Sequence, residues 1–321
     1  MDLPTHDLMA GDDAAPGLAG RVGRLYVRQR LGLEADLEAR ALGRGRHLFR
    51  NEKLRRAIVR AGLSAAFSYA RAQRNAESIK VRDNRVRSPR LPRAFDGFTI
   101  LHLSDLHADM SQGAMRRLAT LLPGLRYDVC VMTGDFRGRA HGPTARAIED
   151  MRLLCGALRG PAYGVLGNHD SLSMIPALEA TGIRMLVNES EEIWRGGDAI
   201  HLAGVDDPHF FRLHNIEKAG DTIPPGAFAI LLSHSPELYR RAAHAGFDLM
   251  LSGHTHGGQI CLPGGIPLTL SARLPRRFGA GAWRWRGMHG YTSAGAGTCV
   301  LPVRLNCPPE ITLHHLERVA T

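Results

Sequence analysis

Acidic, amide and imidazole side chains recur in five short segments of this 321-residue chain. The segments are SDLHAD from Ser104, TGDF from Thr133, GNHD from Gly167, LLSHSPE around His234, and SGHTHGG from Ser252. Hard oxygen donors and imidazoles in combination suit Mn, Fe, Zn or Co. Two such cations about 3.5–4 Å apart neutralise a phosphoester and supply a nucleophile. The segments therefore predict a two-metal hydrolase.

Most of these segments directly follow an apolar run of strand character, namely FTILHL, DVCVMT, AYGVL, FAILLS and DLMLS. A sheet presents the ends of such strands at one edge, where the polar residues converge. In Asp105-x-His107 and His254-x-His256, a spacing of two on an extended segment points both side chains the same way. A single pair of this kind is equally typical of a solvated strand, but five matches in order favour a metal site. The candidate ligands are Asp105, His107, Asp135, Asn168, His234, His254 and His256.

The order DxH, GD, GNH, H, GHxH resembles the calcineurin-like metallophosphoesterase superfamily over about residues 98 to 321. The resemblance implies two divalent ions, with Mn²⁺ preferred and Fe, Zn or Co as alternatives. It also implies that a metal-bridging hydroxide attacks phosphorus while His169 stabilises or protonates the leaving oxygen. The implied ligands are Asp105, His107 and His256 (the first ligand group), Asn168, His234 and His254 (the second ligand group), and Asp135 between the two metals.

One position departs from the family pattern. Many members carry Asp three residues after the bridging Asp, where it orients the catalytic His, and this chain has Gly138. The orientation of His169 and its role as general acid are therefore open, because the adjacent Asp170 need not point at the imidazole. Arg137 and Arg139 are candidates for binding a substrate phosphate, with solvation at the surface as the alternative.

The closing part of the chain narrows the resemblance. GGQICLP and the segment from Gly290 to Leu316 look like the bacterial branch of membrane-associated or exported phosphoesterases. Some members of that branch hydrolyse the pyrophosphate of UDP-2,3-diacylglucosamine in lipid A synthesis, which implies a membrane-associated substrate of this kind. Two alternatives stay open: a soluble phosphodiesterase or phosphatase of broad range, and a non-catalytic metal-binding scaffold.

Net charge is uneven along the chain. Residues 1–97 hold 20 Lys+Arg and 11 Asp+Glu, whereas residues 98–321 hold 21 and 20. Basic charge outside the catalytic region argues against a nucleic-acid substrate and favours an anionic surface as partner. Residues 46–74 predict a basic amphipathic helix lying on an anionic membrane. The apolar residues expected to insert partly are Leu48, Phe49, Leu54, Ile58, Leu63, Phe67 and Tyr69.

This pattern predicts a cytoplasmic protein that is peripheral on the inner membrane. As alternatives, RRAIVR at 55–60 resembles a twin-arginine export signal, and the N-terminal helices can equally form a solvated cap. No run of eighteen apolar residues exists, which excludes a spanning helix on length. The five Cys lack CxxC spacing and are expected to be reduced thiols.

Strands alternating with helices from Phe98 onward predict an α/β fold, with two packed β-sheets flanked by helices in an αββα sandwich. Residues 98–321 are expected to form this phosphoesterase domain. Residues 1–97 are expected to be a basic, mostly helical extension ending in a Pro-containing linker. The later segments EEIWRGGDAIHLAGV, GGQICLP, GYTSAGAG and EITLHHL predict hairpins of the second sheet, with Gly196-Gly197 as a turn.

Overall fold

Two six-stranded β-sheets form the centre of the molecule in the computed structural model, which describes residues 17–42, 52–65 and 67–320. The helices are α1 (Leu18–Val22), α2 (Arg24–Leu42), α3 (Glu52–Ala65), α4 (Tyr69–Ala76), α5 (Gln112–Leu121), α6 (Ala145–Cys155), α7 (Ile175–Glu179), α8 (Ile216–Gly220) and α9 (Tyr239–His244). The strands are β1 (Lys80–Ser88), β2 (Thr99–Leu103), β3 (Val129–Met132), β4 (Ala162–Gly164), β5 (Ile183–Met185), β6 (Glu189–Arg195), β7 (Asp198–Gly204), β8 (Ala229–Leu232), β9 (Leu249–Ser252), β10 (Cys261–Leu262), β11 (Ile266–Pro267), β12 (Gly281–Trp285), β13 (Met288–Thr292) and β14 (Glu310–Arg318).

The first sheet has the order β1-β14-β2-β3-β4-β5, and the second has the order β12-β13-β9-β8-β7-β6. Strands β2 to β5 are parallel to one another, as are β7, β8, β9 and β13. Parallel strands buried on both faces need continuous apolar runs, and β2, β3, β8 and β9 are buried along their whole length. Their carboxyl ends are therefore the natural place for a site.

Apolar side chains fill three layers. Ile100 and Val131 of the first sheet share one buried cluster with Ile230 and Leu251 of the second, which places this cluster between the sheets. Alternate residues of β2 and β3 pack instead with α5, α6 and α7, and alternate residues of β7, β8 and β9 pack with α8 and α9. The predicted αββα sandwich is thus confirmed, and the strands and helices predicted between residues 98 and 252 are present.

The hairpin predicted around Gly196-Gly197 is confirmed as β6–β7, where both glycines have positive φ (57° and 87°). Two other predictions for the second sheet are wrong. EITLHHL forms β14, which pairs with β1 and β2 in the first sheet. GGQICLP contributes β10 to a separate two-stranded hairpin with β11. Local pattern predicts a strand, but the choice of neighbour depends on distant segments.

The N-terminal part packs closely on the rest of the chain. Its residues 80–88, which lie within the predicted extension, form β1 and pair in parallel with all of β14. The single helix predicted over 46–74 is wrong for the residues described, because α3 ends at Ala65 and Phe67 turns with a φ of 50° before α4 begins. Residues 46–51, with Leu48 and Phe49, lie outside the described residues.

Leu63 was expected to insert into a membrane, and the structure buries it instead. It packs with Ala72 and Val303, and Tyr69 packs against the same cluster. These two side chains therefore hold α3 and α4 to the segment that follows residue 300. The five cysteines are free thiols, as predicted.

Candidate metal centre

The loops that follow three strands of the first sheet and two strands of the second bring the seven candidate ligands together. These loops begin after β2 (Asp105, His107), β3 (Asp135), β4 (Asn168), β8 (His234) and β9 (His254, His256). Carboxyl ends of parallel strands are the usual location of ligand sites in α/β sheets.

The backbone turns sharply at most of these positions. Positive φ angles occur at Asp105 (49°), His107 (40°), Asp135 (57°), His254 (70°) and His256 (50°). Each non-glycine residue in this region costs about 1–2 kcal/mol, and such strain persists only where the surroundings enforce it. The expectation that the two D/H-x-H pairs lie on extended backbone is therefore wrong. Left-handed turns, not strand alternation, aim these side chains.

Glycines in the motifs let neighbouring loops touch. A Cβ on Gly253 would lie 1.8 Å from Ser104 Oγ and 2.2 Å from an Asp105 oxygen. A Cβ on Gly167 would lie 2.2 Å from Asp135 Oδ1. Both distances are far below contact, so the glycine of GH and the glycine of GNH are needed for the motifs to converge.

The first ligand group is assembled, with the ligand atoms of Asp105, His107 and His256 all within 4.8 Å of one another. His107 Nε2 and His256 Nε2 are 3.1 Å apart, and His256 Nε2 is 3.3 Å from Asp105 Oδ1. His107 donates Nδ1–H to the carbonyl of Arg137 at 2.8 Å, so Nε2 of the neutral ring carries the lone pair. Metal-bound histidines commonly donate their second nitrogen to a backbone carbonyl in this way.

The second ligand group is assembled in the same manner. His234 Nε2 is 3.0 Å from Asn168 Oδ1 and 3.2 Å from His254 Nδ1. The remaining ring nitrogens donate to backbone carbonyls, His234 Nδ1 to Thr133 at 2.7 Å and His254 Nε2 to Ser271 at 2.8 Å. The nitrogens left for a ligand therefore face the same point.

Asp135 lies between the two groups. Its Oδ2 is 3.6 Å from His107 Nε2 and 3.4 Å from His234 Nε2. Burial by itself raises the pKa of Asp135, but the opposing charge of His234 outweighs it and holds the pKa well below the usual range. Burial by itself lowers the pKa of His234, while Asp135 raises it to about 10. The carboxylate is thus ionised and attracts positive charge.

Two imidazoles of the site, unlike that of His234, are kept neutral in the metal-free protein. Burial lowers the pKa of His107 to about 4 and that of His254 to about 3. Burial also raises the pKa of Asp105 to about 6. Neutral imidazoles and carboxylates are the protonation states that bind metal. The donor set, in which His107, His234 and His254 each donate one ring nitrogen to a backbone carbonyl, therefore fits divalent metal ions that accept nitrogen and oxygen ligands.

His169 stands beside the first ligand group, with its ring centroid 5.0 Å from that of His107. Its Nε2 is 3.9 Å from Asp135 Oδ2, and its Nδ1 donates to the carbonyl oxygen of Gly138 at 3.0 Å. The residue that departs from the family pattern thus orients His169 through its main chain. The backbone N–H of His169 also donates to Asp135 Oδ1 at 2.9 Å, and this bond connects the loop after β4 to the loop after β3.

Asp170 does not orient the imidazole of His169. Its carboxylate accepts the backbone N–H groups of Asp135 (2.8 Å), Phe136 (2.9 Å) and Gly167 (2.8 Å). It is fully buried and fixes the loop after β3 against the loop after β4. Sequence patterns do not predict this role for Asp170, because the N–H groups that donate to it come together only when the two loops are adjacent.

The two candidate arginines lie in different environments. The buried guanidinium of Arg137 donates to the carbonyls of His169, Ala140 and Gly142, so backbone oxygens already occupy Nε, Nη1 and Nη2. Arg139 is exposed. The structure therefore gives Arg137 a part in shaping the loop around His169.

A buried hydrogen-bond chain reaches Asp105 from β1, through side chains that the sequence did not single out as ligands. Burial lowers the pKa of His102 to about 3 and that of His314 well below its usual range, so each neutral ring donates one hydrogen bond and accepts one. The consecutive pairs are Asn84 Nδ2 to His314 Nδ1 (2.9 Å), His314 Nε2 to His102 Nδ1 (3.3 Å), His102 Nε2 to Thr133 Oγ1 (2.8 Å), Thr133 Oγ1 to Ser104 Oγ (2.7 Å) and Ser104 Oγ to Asp105 Oδ2 (2.6 Å).

Comparison with known proteins shows the family to which the chain belongs. The model of the calcineurin-like phosphoesterase family matches residues 98–258. The chain is 30% identical to the uncharacterized metallophosphoesterase YkoQ of Bacillus subtilis, over 77% of this chain and 93% of that protein. It is 28% identical to phosphodiesterase YaeI of Escherichia coli, over 68% and 82% of the two chains. It is 25% identical to UDP-2,3-diacylglucosamine pyrophosphatase LpxG of Chlamydia trachomatis, over 54% and 68%. The chain therefore belongs to the calcineurin-like phosphoesterase family and is a phosphoesterase-type hydrolase.

Proposed function

We propose that this protein is a dinuclear metal-dependent hydrolase that cleaves the phosphoanhydride of a nucleotide-linked lipid such as UDP-2,3-diacylglucosamine. The observation that carries the dinuclear part is the position of Asp135, whose Oδ2 faces His107 of one ligand group and His234 of the other. A carboxylate placed in this way would serve two cations at once. Mn²⁺ is the proposed metal, with Fe, Zn or Co as alternatives.

When bound, two divalent ions supply Lewis acidity and an activated water for in-line attack on phosphorus. The residues of the chain then divide the remaining work. Asp135 and the two ligand groups would hold the metal ions in place, and burial of these side chains would keep bulk water from screening the metal charges. His169 has Nδ1 fixed on Gly138, so its Nε2 is the atom directed at the reaction, where it stabilises or protonates the leaving oxygen.

The substrate proposal is supported by the similarity to LpxG and by exposed apolar side chains on α3, on the turn after it and around the β10–β11 hairpin. The hairpin β10–β11 begins five residues after His256, and Ile260 packs with Leu63 of α3 in one cluster. We define the apolar rim as the exposed apolar side chains of these segments: Ile58, Phe67, Leu262, Ile266 and Leu268. Phe67, 97% exposed, projects fully into solvent.

We further propose that the apolar rim contacts an anionic membrane on the cytoplasmic face of the inner membrane. Arg60 on α3 and Arg71 on α4 are exposed. These arginines supply positive charge that attracts anionic headgroups. In the described part of the chain, no helix combines the length and apolarity needed to cross a bilayer. Export by a twin-arginine signal is the competing proposal for the sequence at 55–60.

Asp135→Asn tests the catalytic proposal. Metal-stripped protein is resupplied with Mn²⁺ and assayed on bis-p-nitrophenyl phosphate, p-nitrophenyl phosphate and UDP-2,3-diacylglucosamine. The variant is expected to lose metal loading and turnover together, whereas Asp221→Asn, at an exposed position, keeps both. Turnover that survives in Asp135→Asn would refute the bridging role, and metal binding without turnover in the wild type would support a scaffold. Comparable rates on the small esters alone would favour a broad-range phosphoesterase.

Vesicle sedimentation tests the membrane proposal. Phe67→Ser combined with Leu262→Ser is expected to reduce binding to vesicles containing anionic lipid, while metal content and hydrolysis of bis-p-nitrophenyl phosphate stay at the wild-type level. Leu153→Ser serves as control, because Leu153 is also exposed but lies on α6. Equal co-sedimentation of wild type and the double variant with anionic vesicles would contradict the membrane proposal.

A further inference from the structure

His209 lies in the loop after β7, and its ring contacts a candidate ligand. The centroids of His209 and His254 are 4.2 Å apart, with an interplanar angle of 44°. His209 belongs to none of the five segments, so no motif pointed to it. In the structure it flanks the second ligand group, just as His169 flanks the first.

The loop that carries His209 is held from two sides. The carboxylate of Asp207 accepts the backbone N–H groups of His209 (3.0 Å), Phe210 (2.7 Å) and Phe211 (2.8 Å). The guanidinium carbon of Arg30, on α2, lies 3.2 Å from the ring centroid of Phe211. Such bracing gives His209 a defined position relative to His254.

Glu237 fixes the orientation of the imidazole. His209 Nδ1 lies 3.0 Å from Glu237 Oε2, and the other oxygen of Glu237 accepts the backbone N–H of Arg273 at 2.7 Å. Burial by itself raises the pKa of Glu237, but these hydrogen bonds outweigh it and lower the pKa to about 2. The carboxylate is ionised, so Nδ1 of His209 is the nitrogen that donates to it.

The second ring nitrogen of His209, Nε2, makes no hydrogen bond to the described residues. Buried His102 and His254 each have partners on both ring nitrogens. Among the described residues, no partner pairs with Nε2 of His209, and its side chain is 30% exposed. A histidine anchored through one nitrogen at the edge of a polar centre, with the second nitrogen open, is arranged to meet a ligand.

We propose that His209 is a further substrate-contacting residue, whose Nε2 hydrogen-bonds a phosphate oxygen of the substrate on the side of the second ligand group. This inference rests on the phosphoesterase function proposed above. Glu237 is then a positioning residue, because it acts on the phosphate only through His209.

The test compares His209→Leu, His209→Gln and Glu237→Gln with His244→Leu, a control at an exposed histidine on α9. The measurements are Mn²⁺ content, kcat and KM for bis-p-nitrophenyl phosphate, and the inhibition constant of inorganic phosphate. His209→Leu is expected to lower kcat/KM by about 10- to 100-fold, the usual effect of removing one hydrogen bond to a charged group. His209→Gln keeps a donor and recovers part of the loss, and Glu237→Gln gives a smaller loss in the same direction.

Unchanged Mn²⁺ content together with weaker phosphate inhibition in His209→Leu supports the contact. A loss of Mn²⁺ in His209→Leu, or a kcat/KM within twofold of wild type, overturns it. If the wild type hydrolyses none of the esters, the proposed function fails separately. Binding of inorganic phosphate to the Mn²⁺-loaded proteins then decides the role of His209, because equal affinity in wild type and His209→Leu refutes it.

Discussion

The imidazole of His169 is oriented by the main-chain carbonyl of Gly138, in a position where many family members use a carboxylate. With Gly in place of Asp, position 138 has no room for a side chain. A Cβ on Gly138 would lie 2.3 Å from Met110 Cγ and 3.1 Å from Asp109 Oδ1, and Asp109 already accepts the N–H of Gly138 at 2.6 Å. Any side chain at position 138 would therefore clash with Met110 and crowd Asp109.

We predict that Gly138→Asp, which restores the family residue, lowers kcat instead of raising it. The new carboxylate meets that of Asp109 and displaces Met110, at a cost of about 1–3 kcal/mol for overpacking. Steady-state kinetics and denaturant unfolding measure both effects. Gly138→Ala adds the Cβ without the charge and separates crowding from repulsion. A kcat above wild type in Gly138→Asp would show that the carbonyl is a poor replacement.

At the scale of elements, β1, β2 and β14 bring together the side chains of the buried hydrogen-bond chain that ends on Asp105. We predict that Thr133→Val, which removes the hydroxyl without changing shape, weakens Mn²⁺ binding about tenfold, the lower end for residues that hold a ligand in place. Calorimetric titration of metal-free protein measures the affinity. Thr298→Val is the matched control, because its hydroxyl is equally buried and has no partner among the described residues. Equal affinities for wild type and Thr133→Val would contradict a role for the chain in positioning Asp105.

The same elements predict a pH dependence of stability. His102 and His314 stay neutral in the folded protein, because burial lowers both pKa values, that of His102 to about 3. Below about pH 6.5 the unfolded chain binds protons that the folded chain does not. The free energy of unfolding of metal-free protein therefore falls as pH drops from 6.5 toward 3, by up to about 1.4 kcal/mol per pH unit for each histidine.

Urea unfolding at pH 7.5 and pH 5.5, with a chelator present, measures this change. Other buried groups also titrate, so the informative quantity is the difference between wild type and His314→Gln. The variant lacks one suppressed protonation and is expected to lose less stability on acidification. An identical loss in both proteins would mean that His314 is not held neutral by the fold.

At the scale of the whole molecule, helix α2 of the N-terminal part packs on the loops of the candidate metal centre. Arg30 on α2 is fully buried, and its guanidinium donates to Asp206 Oδ2 at 3.1 Å, Glu34 Oε1 at 2.6 Å and the carbonyl of Asp170 at 3.1 Å. Tyr26 also donates to Asp206, at 2.6 Å. One side chain thus joins α2 to the loop beside His169 and to the loop that carries His209.

We predict that Arg30→Met lowers the free energy of unfolding by about 3–5 kcal/mol, because it leaves the buried carboxylate of Asp206 without its cation. It should also lower kcat, since the loop at Asp170 loses a donor. Denaturant unfolding and steady-state kinetics check the two effects. Arg28→Met changes an exposed arginine of the same helix and is expected to be nearly neutral. A loss below about 1 kcal/mol in Arg30→Met would indicate that α2 is only loosely attached.

The sequence by itself determined the αββα class and which strands precede the candidate ligands, because apolar runs and polar motifs are local patterns. It also indicated the chemistry, since Asp, Asn and His in the order DxH, GD, GNH, H, GHxH are a specific combination. Only the tertiary structure decided how these side chains converge. The left-handed turns at Asp105 and His256 are enforced by contacts with distant loops, and strand alternation does not predict them.

Local sequence patterns also could not predict the roles of residues whose partners lie far away in the sequence. His314 lies 212 residues from His102, and Arg30 lies 176 residues from Asp206, so neither pair leaves a pattern in the chain. The same holds for β14, whose apolar alternation predicts a strand but not its place beside β1 and β2. Periodicity fixes which face of an element is apolar, whereas its partners are chosen by packing and hydrogen bonding across the whole fold.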